Sequence, residues 1–140
     1  MKLSPDDIER LRKMVPTIRE LRTIDILRDY RAIRARAFGK SIPPAEDIAI
    51  MLLSKREMSR MSGAEDPLGG CLSGFAGKLL TPFVITIFEE LGEIETRTTL
   101  LHEMGHLKVN IKHGRNMHHG KLWIAEMHRL VRIGEMDAWF

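Results

Sequence analysis

Residues His102-Glu103-Met104-Gly105-His106 constrain this chain more than any other stretch of its length. They lie inside a proline-free run from Ile94 to Lys112, preceded by Glu93 and Glu95 and ending in Lys108, Lys112 and Gly114, the charge order that a helix dipole and a C-cap favour. The run predicts a helix with the five residues at its middle. At ~100° per residue, Leu100, Met104, Leu107 and Ile111 form one apolar face, Ile94, Leu101 and Gly105 lie near another, and His102 and His106 fall between. A helix apolar on most sides is a buried one, and buried imidazoles need polar partners. Histidines four apart face the same way one turn apart, so a metal ion satisfies both, and Glu103 beside them is placed as a general base. The same spacing also occurs in helices that bind no metal, so a third donor has to decide.

Spacing narrows the choice of that donor. The pattern HExxHxxGxxH needs glycine at 109 and histidine at 112, and the chain has Val109 and Lys112, which excludes the metzincin arrangement. His113 is one residue out of that register and follows the helix too closely to turn back. Two candidates lie further on, after a polar loop from Gly114 to His118. His119 opens a second helical pattern that continues to Leu130, and Glu126 lies two turns along it at the separation of the gluzincin arrangement. His119, Trp123, Glu126 and Leu130 are predicted to share one face, so either His119 or Glu126 can complete the set.

Leu100-Leu101-His102-Glu103-Met104-Gly105-His106, followed by His119-Gly120, Trp123 and Met127-His128-Arg129-Leu130, resembles the SprT-like/Spartan metalloprotease domain. The similarity extends more loosely upstream, through Phe38–Pro43, Ser54–Met58 and Phe83–Ile87. The resemblance implies His102, His106 and His119 as ligands of Zn²⁺, Glu103 as catalytic base, and hydrolysis of protein or peptide substrates. It also implies proteins associated with DNA as a substrate class. The departures are the short interval from His106 to His119 and the lack of a cysteine-rich zinc ribbon or a long C-terminal tail. Two alternatives stand beside it: a zinc-stabilised binding module without turnover, and a gluzincin-type peptidase using Glu126.

The expected fold is α+β and zincin-like, of the minigluzincin type: N-terminal helices over a three-stranded sheet, then a metal helix and a C-terminal helix. One domain covers residues 1–140, with a helical part at 1–39 and the sheet and metal site at 46–140. Ser4 and Pro5 start a first helix ending near Val15, and Pro16 restarts a second that runs to about Phe38. Its core stripe is Ile26, Tyr30, Ile33 and Ala37, and Tyr30 is read as packing. Strands are expected at Asp47–Leu53 and Phe83–Phe88, with a weaker one at Gly69–Phe75. Gly63 and Pro67 mark a loop before the weaker strand. Trp123 is expected beneath the metal helix, Trp139 and Phe140 either to dock the C-terminus or to fray, and Met51, Met58, Met61, Met104 and Met127 to fill the core. His118 and His128 read equally as residues flanking the cleft or as surface residues, and His113 is similar.

Cys71 is the only cysteine, which excludes an internal disulfide and a four-cysteine zinc site. The sequence opens without the apolar stretch of a signal peptide and has no apolar run near ~18 residues, so a cytoplasmic setting and no membrane span are expected. Oligomeric state is not legible. Residues 1–40 hold 11 Lys/Arg against 6 Asp/Glu, a local +5, whereas residues 41–100 hold 5 against 9, a local −4. A basic N-terminal helix pair suits weak DNA binding. Yet Arg19, Arg22, Arg28, Arg31, Arg34 and Arg36 spread around the helix, and Asp25 and Asp29 interrupt them, the pattern of a solvated, salt-bridged helix.

Overall fold

The computed structural model describes residues 2–14, 17–61, 69–75, 78–114 and 117–137. Helix α1 spans Pro5–Met14 and α2 spans Ile18–Ile33. Both begin on side-chain caps: Ser4 Oγ accepts from the Asp7 N–H at 3.1 Å, and Thr17 accepts from the Glu20 N–H at 3.1 Å. The core stripe of α2 is as its periodicity predicts, with Ile26, Tyr30 and Ile33 buried and Ala37 and Phe38 continuing it. The Tyr30 hydroxyl donates to the Pro43 carbonyl at 2.6 Å, so the ring packs and its polar end is satisfied. The helix leaves α geometry in a π-helical turn at Arg34–Phe38, where Gly39 at φ 55° stops it, and short 3-10 turns at Gly39–Ser41 and Ala45–Asp47 lead to the first strand.

The chain is a mixed, mainly helical protein with a small sheet. Strand β1 (Ile48–Leu53) is followed by helix α3 (Lys55–Met61), then by strands β2 (Gly69–Phe75) and β3 (Lys78–Phe88). The spatial order is β1-β3-β2, with β1 parallel to β3 from Ile48↔Phe83 to Leu53↔Phe88 and β2 antiparallel to it. Ile50 and Leu52 of β1 and Ile85 and Ile87 of the central strand β3 are buried, as a parallel pair covered by helices requires. Strand β3 is longer than the Phe83–Phe88 strand expected. Pro82 has no N–H to give a neighbour, and it falls before the β1 register begins and opposite the β2 register shift between Leu72 and Gly74. The shift lets the strand continue through a proline.

Helix α4 covers Glu93–His113 and α5 covers Lys121–Arg132. Leu100, Leu101, Met104, Leu107, Trp123, Met127 and Leu130 join the same core as α2 and the sheet. Ile94 does not: it is exposed in the first turn of α4, before the helix reaches the core. Met51 is exposed as well, so of the methionines read as core filler Met58, Met104 and Met127 are buried and Met51 is not. The Gly63–Pro67 loop, the side chain of Met61 and the docking of Trp139 and Phe140 lie outside the described residues. Among the described residues no helix is long and apolar enough to cross a membrane.

Candidate metal centre

Helix α4 carries His102 and His106 on one face, and the turn into α5 brings His119 to them. His106 Nε2 stands 3.2 Å from His102 Nε2, and His119 Nε2 stands 3.3 Å from the same atom. Donor nitrogens of all three lie within 4.8 Å of one another, a group able to hold a metal ion. Trp123 forms the floor: its ring is stacked on His106 at 5.0 Å between centroids and lies 4.7 Å from the His102 ring and 4.4 Å from that of His119. The indole is buried, as expected of a residue beneath the metal helix. Glu103 is 1 % exposed, and its Oε1 stands 3.8 Å from His102 Nε2. A carboxylate so enclosed beside His102 is not among the three members of the donor group.

His119 reaches this position from a turn and not from a helix. Gly120 is the N-cap of α5, with extended backbone at ψ −174°, and the helix begins only at Lys121. The expectation that His119 opens the helical pattern is corrected accordingly: the glycine ends one conformation and starts the next. His118 just before it takes φ 50°, a left-handed value that a non-glycine residue adopts at a cost and that reverses the chain. At the other end Gly114, at φ 68°, closes α4 and donates its N–H to the Asn110 and Ile111 carbonyls.

Glu126 points elsewhere. Its Oε2 accepts from Lys108 Nζ at 2.8 Å, which ties α5 to α4, and its Oε1 accepts from Arg129 at 2.5 Å within α5, so both oxygens are engaged. Arg129 in turn lies over the Phe38 ring, 5.3 Å from its centroid. Glu126 is buried for this reason, and the donor group among the described residues consists of His102, His106 and His119. His113 is the exposed last residue of α4, and His118 and His128 are exposed too.

At Gly105 the backbone of α4 lies close against side chains of α5. A Cβ at that position would fall 2.1 Å from Met127 Cε and 3.6 Å from Glu126 Cγ, so the bare backbone leaves room for the end of the Met127 side chain. One residue of consequence escaped the sequence reading. Asn110, one turn beyond His106, is buried and its Oδ1 accepts the Met117 N–H at 2.9 Å. The signal available was its position, four residues after His106 on the same stripe.

One comparison covers this part of the chain. The SprT-like family model matches residues 83–137, from the middle of β3 through α4, the turn that carries His119 and α5. Over that stretch the resemblance read from the sequence is borne out. Comparison with curated proteins and with solved structures gives no match.

Proposed function

We propose that this chain is a small zinc metalloendopeptidase of zincin-like fold, with His102, His106 and His119 as ligands of Zn²⁺ and Glu103 as general base. The observation that carries the reading is the convergence of His119 on the helical pair beside a buried Glu103. Zinc bonds of ~2.0–2.1 Å meeting at a tetrahedral angle require donor separations of roughly 3.3 Å, and the two nitrogen pairs at 3.2 and 3.3 Å fit that requirement. Three imidazoles suit zinc, which when bound would keep a fourth position for water and lower that water's pKa toward ~7.

The chain's own residues do the rest. Glu103 takes a proton from the attacking water as the new C–O bond forms at the scissile carbonyl, then delivers that proton to the amine nitrogen as the C–N bond breaks. Its burial keeps bulk water from competing for the carboxylate. Trp123 packs the three imidazole rings into fixed orientations. Strand β2 is an edge of the sheet lying against α4, and it offers main-chain groups along which an extended peptide can pair. DNA-associated proteins are the substrate class implied by the SprT-like resemblance, and Arg28 and Arg31, the most exposed of the α2 arginines that form ion pairs, are the residues on which a DNA contact would rest.

The test pairs metal analysis with casein cleavage. Wild type is expected to hold about one zinc per chain and to cleave, and Glu103→Gln to keep the zinc and lose ~10²-fold or more in rate. A wild type that binds zinc and cleaves nothing would make the chain a metal-stabilised binding module. A Glu103→Gln variant as active as wild type would remove Glu103 from the mechanism.

A further inference from the structure

We propose that Asn110 is the positioning residue for the third ligand, acting through the turn that carries His119; the inference rests on the zinc reading above. His119 belongs to neither helix, so the turn sets where its backbone lies, and Trp123 packs only the ring that the turn delivers. Asn110 holds that turn twice. Its main-chain carbonyl accepts the Gly114 N–H where α4 stops, and its side-chain Oδ1 accepts the Met117 N–H two residues before His119. The second bond is 2.9 Å long and its acceptor residue is 3 % exposed, so water competes little for it. Its position is tied to the other ligands as well: 102, 106 and 110 are successive rungs of one helical stripe, so Asn110 extends from the same rigid face as His102 and His106. One helix thus presents two ligands and, a turn later, the acceptor that registers the loop bearing the third.

Such a residue touches neither metal nor substrate, and its loss is felt as looser closure of the donor set. Asn110→Leu keeps the branched shape at somewhat greater bulk and deletes the acceptor, whereas Asn110→Asp keeps an acceptor at the same place. Zn²⁺ is titrated into each protein in competition with a chromophoric chelator. Asn110→Leu is expected to raise the zinc Kd by ~10–100-fold, the range found for groups that orient ligands from behind, while its metal-free circular dichroism matches wild type. Asn110→Asp is expected to stay within a few-fold of wild type. Amide exchange in metal-free wild type supplies an arm that needs no variant: the Met117 N–H should exchange more slowly than an exposed loop amide. Wild-type zinc affinity in Asn110→Leu, equal weakening by leucine and aspartate, or an unprotected Met117 amide would each overturn the inference while leaving the zinc reading intact. A wild type that binds no zinc overturns the reading beneath it, and with it the inference.

Discussion

Along α2 and the π-helical turn that follows it, six arginines fan out, and each meets an acceptor of its own chain. Arg19 reaches Glu89 and Glu57, Arg22 the Glu89 and Leu91 carbonyls, Arg28 Asp25, Arg31 Glu46, Arg34 the Ile42 carbonyl and Arg36 Glu135. In the α4–α5 hairpin the three histidines do the opposite, turning their nitrogens toward one another over a tryptophan. Both regions are rich in one residue type, but the arginines differ in helical phase and have long stems that reach neighbouring segments, whereas the imidazoles are short and share one direction. Richness in a residue type therefore marks a site only where phase and reach make the side chains converge. Scattered phase makes them stitches between segments.

The largest effects should come from the convergent region. His106→Ala and His119→Ala are each expected to weaken zinc binding by more than ~100-fold, beyond the range for residues that only orient ligands, as read by chelator competition. Glu126→Ala should leave zinc bound and lower stability by about 2 kcal/mol, since hydrogen bonds to charged groups are lost from Lys108 and Arg129. The reverse order of effects on zinc would move the third ligand to Glu126 and dissolve the contrast between the two regions.

The stitched region should respond in stability alone. Glu135 accepts Arg36 at 2.8 and 3.0 Å and Arg97 at 3.0 Å, joining the turn after α2, the start of α4 and the turn after α5. Glu135→Gln is expected to cost about 1–2 kcal/mol in chemical denaturation without changing zinc affinity. The Arg36 hydrogen bonds, with the nearby Arg36 and Arg97 charges, hold the Glu135 carboxyl below the ordinary glutamate range. A carboxyl depressed on folding contributes stability that is present above its unfolded pKa of ~4.3 and is lost as pH falls through the lower folded value. Wild type should therefore lose part of its stability below about pH 4, and Glu135→Gln should lack that part. Parallel acid unfolding of the two proteins would contradict the clamp.

Smaller still is the expectation for Arg28→Gln and Arg31→Gln, whose partners are exposed. Each should change stability by no more than ~0.5 kcal/mol. If the chain engages DNA, the double variant should shallow the dependence of affinity on salt, because fewer counterions are released. Unchanged salt dependence would confine these arginines to the fold and leave the N-terminal region without a nucleic-acid role.

What was legible followed from local rules. The proline-free run around His102 and His106 announced α4, and the phase of Ile26, Tyr30 and Ile33 announced the buried face of α2. Helix α3 could have been read and was not: Ser54 and Glu57 form a reciprocal capping box, with bonds of 3.0 and 3.2 Å, and that spacing stands in the sequence. Other features depend on distant parts of the chain. Pro82 reads as a strand breaker until the β2 register shift is known, and the π-helical turn at Arg34–Phe38 has no local signature. Both His119 and Glu126 fitted the spacing of a third ligand, and what separates them is tertiary: His119 closes on His102 while Lys108 and Arg129 engage Glu126. Asn110 resembles any helical asparagine until the loop folds back onto it.

The two halves of the molecule also differ in how far along the chain their contacts reach. The parallel pairing of β1 with β3 joins residues 48 and 83, across α3 and β2, whereas His102 and His119 are separated by 17 positions and one turn. Closing the shorter loop costs less chain entropy, and a helical hairpin with local contacts assembles faster than a sheet that must first bring remote strands together. The donor set can therefore come together before the sheet does. A metal ion present during refolding would meet its ligands early and act as a nucleus for α4 and α5, so refolding with zinc should be faster than refolding with a chelator, and equal rates would place the sheet first.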